Sequence, residues 1–226
     1  MNMKKLIDIL KQFDDERTKF LQSGENWDDD AVASCFYHCA EQILCNGYFL
    51  VNDEYIIDLG SIELYYHEEN GPIKDLKMYH RNGQIPSNYE KRFTKYSSRL
   101  PIYYRNIADN NRTFPYFQIG SFNLHQSGVD VTFENGEENK QYRASFLIRS
   151  YRMIKKDEIG NNDIVYDPCS SHLYDDMYYA GLLFPSDRGS IKWIEYNKGG
   201  EIEQLVRKNI SGRKWQFKRI GIEEIE

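Results

Sequence analysis

The order of patterns along the chain predicts an α+β fold, a single domain in which N-terminal helices lead into a curved sheet of mixed or antiparallel strands. Three observations carry this. Apolar residues recur at helical spacing within residues 1–46. From residue 47 onward short apolar and aromatic runs alternate with turn residues, the pattern of strands. No internal repeat or low-complexity linker divides the 226 residues. The layout is therefore one domain over 1–226, a helical part at 1–46 and a sheet-containing core at 47–226 that carries a long basic loop region at 68–115.

The elements follow in order. Leu6, Ile7, Ile9, Leu10, Phe13, Phe20 and Leu21 mark an amphipathic helix, with Gly24 as its stop. Asp28-Asp29-Asp30 places negative charge at the start of a second helix over about 29–45, ending near Asn46-Gly47. Tyr48 to Val51 and Tyr55 to Glu63 read as two strands joined by a tight turn at Asn52-Asp53-Glu54. Residues 68–115 hold few sustained apolar patterns and many Asn, Ser, Pro, Arg and Tyr, so long loops with short helical pieces around 86–98 are expected. Strand signal returns at Tyr116 to Ile119. A turn from Gly120 to Gly128 follows, then Val129 to Phe133, a turn at Asn135-Gly136, Tyr142 to Met153, Lys192 to Tyr196, and Trp215 to Ile222.

Composition narrows the function classes. A net charge of −6 argues against a protein that coats nucleic acid. The charge is uneven, however: residues 1–70 carry five Lys or Arg against fifteen Asp or Glu, and residues 71–112 carry nine against three. A basic, Tyr-rich segment can form a local phosphate-binding surface, or a solvated face paired with the acidic N-terminal region. The 18 Tyr and 12 Phe suit strands, flat ligands and ordinary cores alike. Cys35, Cys39, Cys45 and Cys169 form no CxxC pair or zinc spacing, and Cys35 and Cys39 beside His38 read as core packing, so neither a disulfide framework nor a metal is expected. The first residues lead into an amphipathic pattern and no run of about 18 apolar residues occurs, so a cytoplasmic location without membrane contact is expected.

The residues that invite chemistry begin with Ile62-Glu63-Leu64-Tyr65-Tyr66-His67. Glu63 is either the solvent-facing member of a half-buried strand or a carboxylate desolvated among aromatics and suited to activating water. Three further pieces accompany it: His80 in Tyr79-His80-Arg81-Asn82-Gly83-Gln84, the stretch Gly120-Ser121-Phe122-Asn123-Leu124-His125-Gln126-Ser127-Gly128, and Arg149 closing Leu147-Ile148-Arg149. Their order and spacing resemble the alkyladenine (3-methyladenine) DNA glycosylase family, and Arg219-Ile220-Gly221-Ile222 is similar to that family's tail motif. The resemblance covers about residues 40–150 plus the tail.

The resemblance implies an alkyladenine glycosylase-like fold and hydrolysis of a purine N-glycosidic bond. Glu63 would deprotonate the attacking water, and Arg149 would hold that water or the carboxylate. Tyr65 and His80 would line the pocket for an extruded base, whose unstacking cost aromatic faces offset. The third stacking position falls at Leu124 or His125, which makes His125 the candidate there. The family's intercalating aromatic is replaced by Ser127, too small to fill the gap left by a flipped nucleotide. Asp130 is a further candidate, as a pocket acid or as a turn residue. Nucleic acid or a modified purine is the implied partner, and neither metal nor cofactor is needed. Two other classes remain open: a non-catalytic nucleobase or nucleic-acid binding module, and a protein-interaction domain. The oligomeric state is not legible.

Overall fold

A computed structural model describes residues 3–68, 70–75, 116, 118–125, 128–137, 141–158, 164–179, 191–207 and 212–225. Two N-terminal helices, α1 (Lys4–Ser23) and α2 (Asp29–Cys45), precede the strands β1 (Gly47–Val51) and β2 (Tyr55–Glu68). After them come β3 (Ser121–His125), β4 (Gly128–Thr132), β5 (Tyr142–Lys155), the helix α3 (Ser170–Tyr179), β6 (Ile191–Glu195), β7 (Ile202–Leu205) and β8 (Gln216–Arg219). The strands form one sheet in the order β3-β4-β5-β2-β1-β6, all of whose pairs are antiparallel. The hairpin β7–β8 joins it through β8, which pairs with the middle of β2. This is the α+β class the sequence predicts.

Local chemistry explains the helices. Leu6, Ile9, Leu10 and Phe13 put the apolar stripe of α1 inward, and Gly24 ends the helix in the left-handed conformation at φ 77°. The Asp28 side chain caps α2 by accepting from the backbone N–H groups of Asp30 and Ala31. Both helices and α3 pack into one apolar cluster with the sheet, to which Ile57, Leu59, Ile62, Leu64 and Tyr66 of β2 and Ala144, Phe146, Ile148 and Tyr151 of β5 contribute. At its centre Phe36 stacks on Phe133 at 5.3 Å and meets Phe13 and Phe217 edge-on.

Strand alternation turns Asp58, Glu63, Tyr65 and His67 to the opposite face of β2. The apolar positions change from odd to even between Leu59 and Ile62. In the β2–β5 ladder Leu59 faces Tyr151, Ser61 faces Ser150 and Ile62 faces Ile148, which leaves Gly60 and Arg149 without opposite numbers. Each strand thus carries one extra residue, a paired irregularity that re-aims side chains. A Cβ at Gly60 would lie 2.6 Å from both Ile222 Cδ1 and Ser150 Oγ, so only glycine fits.

Several boundaries differ from the sequence reading. β2 does not end at Glu63 but runs to Glu68, because its last residues pair with Tyr142 to Ser145 and Glu68 is anchored from the helix side. β5 begins at Tyr142 as expected and runs to Lys155, two residues past the expected Met153. The residues from Gly120 to Gly128 are not one long turn: β3 and β4 pair antiparallel with Phe122 opposite Val131, and a turn at residues 119–120, where Gly120 adopts φ 80°, leads into β3. The strand expected at 116–119 is accordingly absent at residues 118 and 119. The helical pieces expected around 86–98 lie outside the described residues. α3 and β7 carried no clear pattern and are additions.

A buried ion pair fixes α1 to the end of β2. Arg17 donates to Tyr66 Oη (2.7 Å) and Glu68 Oε1 (2.8 Å), and Tyr66 Oη and Trp27 Nε1 also donate to Glu68 Oε1. Burial acts to raise the Glu68 pKa, but the Arg17 and Tyr66 hydrogen bonds and the Arg17 charge outweigh it and hold the pKa below 4.5. The stabilisation is complete above the ordinary carboxylate pKa and is lost as pH falls through the lower folded value. Glu68→Gln is therefore expected to lower stability at neutral pH and to weaken its pH dependence below about pH 4.5, measured by urea unfolding across pH 2–7. Phe36→Ala is expected to cost about 3–5 kcal/mol in the same assay, against less than about 0.5 kcal/mol for the exposed Leu21→Ala.

Candidate functional site

Glu63 lies mid-strand on β2, fully buried, opposite Leu147 of β5. It is not the solvent-facing strand acid. Arg149, at the extra residue of β5, donates its Nε–H to Glu63 Oε2 at 2.7 Å across 86 positions of sequence. On the other side Arg207 Nε stands 2.9 Å from Oε1. That N–H points off the hydrogen-bond line, so Oε1 has a charge contact and no hydrogen bond.

Arg207 is as buried as Glu63. It holds Asp75 with both terminal nitrogens, at 2.6 and 3.2 Å, and donates to the Leu64 carbonyl at 3.3 Å. Its guanidinium lies over the Tyr65 ring, 3.9 Å from the centroid. Asp75 in turn donates its backbone N–H to His67 Nδ1 at 3.1 Å, which leaves Nε2 as the protonated ring nitrogen. Two acids and two arginines form a charge-balanced chain, Arg149–Glu63–Arg207–Asp75, which meets the requirement that buried charge be paired.

Electrostatics follow this arrangement. Burial acts to lower the Arg149 pKa, and the hydrogen bond and charge of Glu63 more than reverse it, with Asp130 adding to the rise. Tyr65 is pushed far above the ordinary phenol value by burial first and by the Glu63 charge second. Its hydroxyl stays protonated at any physiological pH. The Arg149 side chain is 16% exposed, and of the four members of the chain it alone reaches solvent. Chemically the arrangement offers a carboxylate with one oxygen oriented by a guanidinium and the other lacking a hydrogen bond, beside an aromatic ring.

The structure brings together Glu63, Arg149 and Tyr65 of the residues singled out from the sequence, with Asp130 close enough to act on Arg149 and Tyr65. His80 and Ser127 lie outside the described residues. His125 is on β3 opposite Gly128, and its side chain is also outside the described set. The sequence reading missed Arg207 and Asp75. Each lies among ordinary charged residues, and their contact spans 132 positions, so nothing local marks them.

No three-residue cluster of His, Cys, Asp or Glu suited to a metal occurs among the described residues. Burial pushes the Cys35 and Cys39 thiols up to about 11 and about 12, away from ligating thiolates, and His38 turns outward to Glu41 at 3.5 Å. Arg207→Met is expected to cost about 3–5 kcal/mol in urea unfolding, because Asp75 loses its bidentate partner while still buried. Arg207→Lys should recover only part of the loss, since an ammonium lacks the planar fork. No protein-family model, no curated protein and no solved structure matches this chain.

Proposed function

We propose that the protein hydrolyses a purine N-glycosidic bond, with Glu63 as general base, Arg149 orienting it, and Tyr65, His80 and His125 forming the base pocket. One observation carries this reading: the 2.7 Å contact of Arg149 with Glu63, beside Tyr65, unites residues that the glycosylase resemblance pairs. The Oε1 atom without a hydrogen bond has the acceptor capacity that proton abstraction needs. In the reaction Glu63 takes a proton from water, the water oxygen bonds to the anomeric carbon, and the base departs with the electrons of the broken C–N bond. Glu63 then returns its proton to solvent.

The proposed substrate is a modified purine in nucleic acid, met through the basic segment 74–112 in the cytoplasm. Ser127, in place of an intercalating aromatic, favours strands in which the target base is already unstacked. No helix among the described residues is long and apolar enough to cross a membrane.

A specific observation favours a second reading, a binding module without turnover. Arg207 faces Glu63 Oε1 at 2.9 Å and covers a face of Tyr65, space that an attacking water and a stacked base would use. Single-turnover release of hypoxanthine, ethenoadenine or 3-methyladenine from labelled single- and double-stranded oligonucleotides decides between the two. Hydrolysis predicts release that Glu63→Gln slows by about 10²–10⁴, with the fold retained by circular dichroism. Saturable binding of the same oligonucleotides with no release from any of them would assign the second reading.

A further inference from the structure

Where α1 passes the end of β6, a half-open cleft of about 380 Å³ is lined by none of the side chains around Glu63. Asp8 and Gln12 of α1 contribute to it, with Gln42 and Asn46 from the end of α2 and Glu195, Tyr196 and Asn197 from the end of β6. Backbone pairing fixes these pieces to one another. The Tyr196 N–H donates to the Asn46 carbonyl at 3.1 Å, and Gly47 of β1 pairs with Glu195. The volume lies within the range of small-ligand sites, about 300 to 1,000 Å³.

Most of the polar groups here are uncommitted among the described residues. Asp8 makes no hydrogen bond or ion pair, and Gln12 Oε1 is buried without a hydrogen-bond partner. Asn46 Nδ2 donates to Gln42 Oε1 at 3.2 Å, which leaves the Gln42 amide nitrogen and Asn46 Oδ1 free. Asn197 Oδ1 accepts from the Gly199 N–H at 2.8 Å, and the Asn197 amide nitrogen is free as well. Lys5 meets Glu195 at 3.5 Å on the solvent side. The Tyr196 ring, braced by Tyr48 at 5.9 Å between centroids, is nonetheless 51% exposed.

The chemistry of the lining selects a ligand class. Two carboxylates against one ammonium disfavour an anion, and Ile9 is the one aliphatic side chain in the lining among the described residues, which disfavours an apolar ligand. The free groups are mixed: Asp8, Gln12 Oε1 and Asn46 Oδ1 accept, and the amide nitrogens of Gln42 and Asn197 donate. A hydroxyl both donates and accepts, so adjacent hydroxyls on a neutral ring satisfy such a set in pairs. An exposed tyrosine ring adds an apolar plane against which the C–H face of the same ligand packs. We propose that this cleft binds a neutral carbohydrate, a mono- or disaccharide, with Asp8 and the amides on its hydroxyls and Tyr196 on its ring. The proposal stands apart from the reading of Glu63, since it uses none of the same side chains.

Titration of the full chain with maltose, cellobiose, lactose and mannobiose, followed by saturation-transfer NMR, tests it. Saturable binding of at least one of them at about millimolar concentration or below is expected, weakened about tenfold or more in Tyr196→Ala or Asp8→Ala and unchanged in Leu21→Ala. Asp8 and Tyr196 are both exposed, so these variants keep the fold, which circular dichroism checks. Absence of saturable binding of all four sugars, or equal binding by wild type and both cleft variants, overturns the site. Binding of tetramethylammonium with none of the sugars bound would mark a cation site and overturns the carbohydrate assignment.

Discussion

The long antiparallel pairing of β2 with β5 is the constraint on which the rest of the structure depends. Its register runs from Tyr55–Lys155 to Glu68–Tyr142 and sets which side chains meet the helices. Strand alternation then partitions β2: Ile57, Leu59, Ile62, Leu64 and Tyr66 face α1, α2 and α3, and Asp58, Glu63 and His67 face away from them. Without that ladder Arg149 would lose Glu63 and Glu63 would be left with Arg207 alone, and an underpaired buried carboxylate costs several kcal/mol.

The two faces are stabilised by different physics. On the helix side, interlocking rings fill space around Phe13, Phe36 and Phe133, and a buried ion pair, Arg17–Glu68, lies at the margin where α1 crosses the strand end. On the other face, fixed geometry between opposite charges stands beside two small apolar clusters, Leu50–Ile56–Ile154 and Tyr65–Leu147. Tyr65 links the two regimes: its ring lies under the Arg207 guanidinium and against Leu147. Such a face tolerates little rearrangement, because Glu63, between Arg149 and Arg207, and Asp58, between Arg152 and Lys198, are each held by groups from several separate elements at once. Rigidity of this kind suits a site whose groups must be held before a ligand arrives.

Local signals made much of the fold legible in the sequence. The α1 stripe, the Asp28 cap and the Asn52-Asp53 turn are each written within a few residues. Strand limits were less so, since Glu63 and Arg149 look like strand ends when read alone and become mid-strand residues only once each has the other as a partner. At the site, Glu63 and Tyr65 stand out because a carboxylate among aromatics is unusual. Arg207 and Asp75 do not, because a charged residue that pairs across the fold has the same local sequence as one that faces water. Pairing at such separation is a property of the tertiary structure and leaves no periodic trace.

The extra residues at Gly60 and Arg149 divide the central ladder into two halves of opposite parity. Asp58 and its cations belong to one half, Glu63 and its arginines to the other. A folding chain that slipped by one residue in either half would turn that half's charges into the aromatic cluster and its aliphatics outward, while the other half could remain correct. The ladder is therefore proofread twice, by two independent sets of charges, and a partial error is rejected by the half in which it arises. The paired irregularity at Gly60 and Arg149 thus lets each half of one long strand pair specify its own register.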